Sequence, residues 1–150
     1  MKKLTCILLI DDDEPTNFWN HFLLTKQNCA EHVVIAKSGR EALDYHRHCM
    51  EAPEQSELYH WPDLIFLDIN MPRMDGWEFL EKYISLPWEG HRKALVVFLT
   101  TSLFPEDLAM AEAMPEVAGL ENKPLTPATL ENIWKLHFPD GAPTDDKLIG

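Results

Sequence analysis

The sequence predicts an open α/β domain, a parallel sheet with helices packed on both faces. Three observations predict it. Short apolar runs alternate with longer amphipathic stretches, five of each along the chain. The runs are apolar nearly throughout rather than at every second residue, as strands buried on both sides require. Charged or hydroxyl residues follow nearly every run at once, which ends each strand sharply.

Leu4–Ile10 reads as the first strand, continuously apolar apart from Thr5, and the acidic triplet Asp11-Asp12-Asp13 stops it. Glu14–Asn28 reads as a helix with Phe18, Trp19, Phe22 and Leu23 on its inward face. Val33–Ala36 is a second, shorter strand. Ser38-Gly39-Arg40-Glu41 has the form of a capping box, with an acceptor side chain three residues ahead of a carboxylate. The helix it opens turns Ala42, Leu43 and His46 inward and runs to about Cys49. Met50–Trp61 is polar, acidic and proline-containing, and reads as a surface loop whose length is simply tolerated. Leu64–Leu67 is the third strand. Trp77–Leu86 is the third helix, with Leu80, Tyr83 and Ile84 at core spacing. Leu95–Leu99, mostly β-branched and aromatic, is the fourth strand. Pro105 suits the first turn of a helix running to Met114. Val117–Glu121 is a weak fifth strand, polar at its end. Thr126 caps a last helix that turns Leu130, Ile133, Trp134 and His137 inward. From Pro139 the chain is polar, so residues 1–138 read as one domain and 139–150 as a short tail.

The 150 residues carry 13 Lys and Arg against 25 Asp and Glu, a net charge of −12. That balance opposes binding to nucleic acid or to an anionic membrane surface, both of which draw on basic side chains. Three cysteines without a CxxC pair read as reduced thiols of a cytoplasmic protein. The apolar run at the N-terminus is too short to be a membrane span or the core of a signal peptide. The seven histidines are scattered, and His46 and His48 diverge on a helix, so no histidine metal site is expected.

Ligands of an open parallel sheet sit beyond the carboxyl ends of its strands. There the sequence delivers Asp11, Asp12 and Asp13 after the first strand, Asp68 after the third, Thr100, Thr101 and Ser102 after the fourth, and Lys123 after the fifth. Converging carboxylates repel one another and stay ionised only around a cation, and an all-oxygen donor set suits a hard ion, Mg²⁺ (or Mn²⁺) first. A lysine beside them serves as a point charge for a phosphoryl oxygen, and an aspartate can accept the phosphoryl group as a nucleophile. Asp13, at a helix start, reads most simply as a cap.

The segment Asp68-Ile69-Asn70-Met71-Pro72-Arg73-Met74-Asp75-Gly76 resembles the phosphoacceptor signature of receiver domains in two-component response regulators. Ile10-Asp11-Asp12-Asp13, Phe98-Leu99-Thr100-Thr101-Ser102 and Asn122-Lys123-Pro124 resemble three further elements of that family, in family order. The resemblance covers roughly residues 3–138 and implies a flavodoxin-like, CheY-like fold with strand order 2-1-3-4-5. It implies that Asp68 is the phosphoacceptor, that Asp12 and Asp11 hold the metal with Asp68, and that Asn70 offers its backbone carbonyl. It further implies that Thr100 and Lys123 contact the phosphoryl group, that the Lys123–Pro124 bond is cis, and that Gly76 permits the turn into the third helix. The phosphoryl donor would be a histidine kinase or phosphotransfer protein, and the output a contact with a downstream protein, as in a stand-alone receiver. Beyond self-phosphorylation and autodephosphorylation no enzyme activity is implied, and a weak homodimer is compatible with the family. Leu120 stands where many receivers carry an aromatic residue on the fifth strand. Three alternatives remain: a haloacid-dehalogenase-like phosphatase with its nucleophile at Asp11, a flavodoxin-like binding module, and a receiver that signals without phosphate.

Overall fold

The computed structural model describes residues 2–140, so most of the expected tail, from 141 onward, lies outside the described residues. The elements alternate along the chain as β1 Leu4–Ile10, α1 Glu14–Lys26, β2 Ala30–Ala36, α2 Gly39–Glu51, β3 Leu64–Asp68, α3 Gly76–Ile84, β4 Leu95–Thr100, α4 Pro105–Ala113, β5 Val117–Asn122 and α5 Pro127–His137. The five strands form one parallel sheet in the order β2-β1-β3-β4-β5. β1 and β3 lie at its centre, and both are almost entirely buried.

Each face of the sheet carries its own core. On one, Leu9, Phe66 and Leu99 pack with Leu23 and Leu24 of α1 and with Leu130 and Trp134 of α5. On the other, Leu8, Leu67 and Phe98 pack with Leu43 of α2 and with Phe79 and Tyr83 of α3. Alternate residues of one strand serve opposite cores, which explains the unbroken apolar runs.

Side-chain caps set the helix starts. Asp13 accepts the Thr16 N–H at 3.0 Å, Asp75 that of Glu78 at 2.9 Å and Thr126 that of Thr129 at 3.2 Å. Ser38 accepts the Glu41 N–H at 3.1 Å, while the Glu41 carboxylate reaches back to the Lys37 N–H. Helix α1 ends before Asn28, which takes the left-handed conformation (φ 54°) that asparagine tolerates.

Three local expectations change. The buried face of α1 is Asn17, Asn20, Leu23 and Leu24, whereas Phe18, Trp19 and Phe22 are exposed. β2 begins at Ala30 rather than Val33, because Leu4 pairs with Ala30 and Cys6 with His32. His137 is exposed, and α5 buries Leu130, Ile133 and Trp134. The loop after α2 is pinned: the Tyr45 hydroxyl donates to the His60 carbonyl (2.7 Å) and accepts the His60 N–H (2.9 Å), and the His60 ring stacks on His32 at 3.7 Å. Cys6, Cys29 and Cys49 are buried free thiols, and no helix among the described residues is long and apolar enough to cross a membrane.

Candidate phosphorylation site

The parallel register brings Asp11, Asp12, Asp68, Thr100 and Lys123 to one edge. Ile10 pairs with Leu67 and Asp68 with Leu99, so the residues leaving β1 and β3 emerge side by side. One carboxylate oxygen from each of Asp11, Asp12 and Asp68 lies within 4.8 Å of the others. Asp11 and Asp68 are buried and Asp12 is exposed, so the cluster opens to solvent on one side. Lys123 reaches in from the end of β5, its ammonium 2.6 Å from Asp11 Oδ2 and 3.1 Å from Asp68 Oδ1.

Backbone geometry aims these groups. The Asp11 N–H donates to the Ala36 carbonyl, and the Asp13 N–H donates to Asp11 Oδ1 at 3.0 Å. The Asn70 N–H reaches Asp68 Oδ1 at 3.3 Å. The Lys123–Pro124 bond is cis, and the Lys123 N–H donates to the Thr100 carbonyl at 2.8 Å. Gly76 acts by close approach: a Cβ there would lie 2.5 Å from the Asp68 carbonyl oxygen, and no positive φ is involved. Thr100 is buried at the end of β4, and its hydroxyl donates to the Ser102 carbonyl (2.9 Å) while accepting the Ser102 N–H (3.2 Å). It is thus engaged with its own loop. Asp13 faces away as the α1 cap, and its hydrogen bonds from Thr16 hold its carboxyl below the ordinary range.

The electrostatics are strained in a specific sense. Burial, then the Asp11 charge, push the Asp68 carboxyl up to about 6, against the pull of Lys123. Burial works against the Lys123 ammonium, but its hydrogen bond and ion pair with Asp11, then Asp68, outweigh it and hold its pKa above the ordinary lysine value. Three carboxylates and one ammonium leave net negative charge in a small volume. A hard divalent cation fits that donor set, whereas among the described residues no histidine or cysteine joins the cluster.

Residues 7–134 match the family model described as the response regulator receiver domain. The chain belongs to that family. Receivers are signalling domains that bind Mg²⁺ through an acidic pocket of this kind and interact with histidine kinases or phosphotransfer proteins. A two-component response regulator from Cytophaga hutchinsonii superimposes with a TM-score of 0.79 at 32% identity, covering 90% of this chain and 97% of that one. A response regulator receiver protein from Dyadobacter fermentans gives 0.73 at 29% identity, covering 91% and 99%. An uncharacterized response regulatory protein of Vibrio cholerae is 35% identical over 67% of this chain and 33% of its own length. A probable cyclic di-GMP phosphodiesterase of the same organism is 34% identical over 68% of this chain and 20% of its own length. The receiver thus spans a third or less of these two curated relatives. With the family established, the haloacid-dehalogenase-like and flavodoxin-like alternatives fall away.

One residue at this site escaped the sequence reading. The Asn17 side-chain amide donates to the Asp11 carbonyl at 2.8 Å from inside α1. A polar residue at an inward helical position was the available signal, and the neighbouring aromatics masked it.

Proposed function

We propose that this receiver accepts a phosphoryl group on Asp68 from a phosphohistidine of a histidine kinase or phosphotransfer protein. The observation that carries the reading is the Lys123 ammonium held between Asp11 and Asp68 inside a cluster completed by Asp12. In the transfer an Asp68 carboxylate oxygen attacks phosphorus, the donor's P–N bond breaks, and the imidazole nitrogen keeps the electron pair. An acyl phosphate results, later cleaved when water attacks phosphorus and the Asp68 carboxylate leaves. Asp11, Asp12, Asp68 and the Asn70 carbonyl would hold Mg²⁺ (or Mn²⁺), which when bound offsets the charge of the carboxylates and of the incoming phosphoryl oxygens.

Lys123 follows the charge. As Asp68 becomes an acyl phosphate its ammonium pairs with a phosphoryl oxygen, and the Thr100 hydroxyl leaves Ser102 to donate to another. These two shifts pull the loop after β4 and the end of β5 into a second arrangement, which a downstream protein reads. The domain comprises residues 1–138, with 139–150 as a polar tail. The cytoplasm suits its three buried free thiols.

The test is incubation with acetyl phosphate and Mg²⁺ followed by intact mass. A single phosphoryl adduct, lost in Asp68→Asn, is expected. An adduct that persists in Asp68→Asn, or no adduct on the wild-type chain, would contradict the reading; the second result would favour signalling without phosphate.

A further inference from the structure

Helix α1 buries the wrong residues for a helix held only by hydrophobic packing. Phe18 and Phe22 face solvent while Asn17 and Asn20 are turned inward, each with a buried side-chain oxygen that meets no partner among the described residues. A buried amide with an unmet oxygen is unfavourable, so its placement points to work done by the other end of the group.

For Asn17 that work is visible. Its Nδ2 donates to the Asp11 carbonyl. The remaining polar atoms of Asp11 are held elsewhere: its N–H by Ala36, Oδ1 by the Asp13 N–H and Oδ2 by Lys123. The Asp11 carbonyl belongs to the planar peptide that leads into Asp12, so fixing it fixes where the Asp12 carboxylate starts. Two residues on, the same helix makes a second tether. The Trp19 indole N–H donates to the Leu125 carbonyl at 3.0 Å, two residues beyond Lys123 and just past the cis Lys123–Pro124 bond. One helix therefore grips both the acidic turn and the loop that carries the lysine.

We propose that Asn17 and Trp19 are positioning residues of the phosphorylation site, through which α1 holds the Asp11–Asp12 turn and the Lys123 loop at a fixed separation. Neither touches the reacting atoms. Asn17 acts on the metal-holding carboxylates, and Trp19 acts on the ammonium. The inference rests on the function proposed above, and the experiment separates the two.

Mg²⁺ affinity is measured by calorimetry, and the phosphorylation rate from acetyl phosphate at saturating Mg²⁺ by intact mass, on the full chain below each variant's melting temperature. Asn17→Leu, similar in size but without the donor, and Asn17→Ala are expected to weaken Mg²⁺ binding about tenfold, the scale of lost outer-shell support for metal ligands. Trp19→Phe keeps a ring and removes the N–H; Mg²⁺ affinity should stay within about twofold while phosphorylation slows about fivefold through misplacement of Lys123. Asn20→Leu, on the same buried face but without a bond to either loop, should leave both readouts unchanged. A folded Asn17 variant with wild-type Mg²⁺ affinity, a wild-type rate in Trp19→Phe, or an Asn20→Leu chain as impaired as Asn17→Leu would overturn the proposal. Should neither Asn17 variant fold, a wild-type rate in Trp19→Phe or an impaired Asn20→Leu chain still overturns it. Failure of the wild-type chain to bind Mg²⁺ or take a phosphoryl group would instead overturn the functional reading.

Discussion

Asp68 is buried beside a second carboxylate, and its ionised form is therefore disfavoured in the folded chain relative to the unfolded one. Its carboxyl is raised from 3.8 to about 6 by burial and by Asp11. Between those two values the folded state binds more protons than the unfolded state, so stability falls as pH rises through that window and stays lower above it. Asp68→Asn removes the conflict while Lys123 keeps its ion pair with Asp11. Without divalent ions at pH 7, this variant is expected to be about 1–2 kcal/mol more stable by urea unfolding, a gain that shrinks as pH falls from about 6 and is gone near pH 4. A variant less stable than wild type at pH 7 would contradict the electrostatic account. At this scale the sequence was informative about which side chains stand at the strand ends, as with Asp11, Asp12, Asp68, Thr100 and Lys123. Asn17 was illegible because its partner is a backbone carbonyl, which leaves no mark in composition or spacing. Gly76 was read as a turn residue, but only the fold brings the Asp68 backbone against it.

Helix α4 is the least embedded element near the site. Only Ala111 is buried, Leu108 and Met110 are exposed, and Phe104 at its N-cap supplies no side-chain bond. One specific tie runs to α3: the Trp77 indole N–H donates to Asp107 Oδ1 at 3.1 Å, while the Trp77 ring rests on Phe98 of β4 at 4.4 Å. Leu120, in place of an aromatic, pairs in register with that same Phe98. Trp77→Phe is expected to cost about 0.5–1.5 kcal/mol, the worth of one such hydrogen bond, and to speed hydrogen exchange across residues 105–113. Wild-type exchange in α4 would show that the tie does not restrain it. Element types were legible because five buried runs and their caps are local signals. The face of α1 was not: hydrophobicity placed Phe18, Trp19 and Phe22 inward, whereas the helix is rotated so that Asn17 meets the Asp11 carbonyl. The early start of β2 was hidden because Glu31 and His32 sit on an edge strand, where polar residues are tolerated.

Across the whole molecule, two cores on opposite faces of one sheet hold five strand ends in register, and chemistry from separate βα turns meets at a single edge. Periodicity alone left the strand order open; the resemblance supplied it, and the β2-β1-β3-β4-β5 sheet bears it out. The net charge of −12 is spread over the chain, and the pocket concentrates part of it where a divalent cation can offset the repulsion. The most direct measurement is a Mg²⁺ titration of the ¹⁵N-labelled chain by NMR. Saturable shifts centred on the amides of Asp11–Asp13, Asp68–Asn70 and Lys123 are predicted, abolished in Asp12→Ala. No saturable response, or one centred away from the carboxyl ends of β1, β3 and β5, would contradict the account.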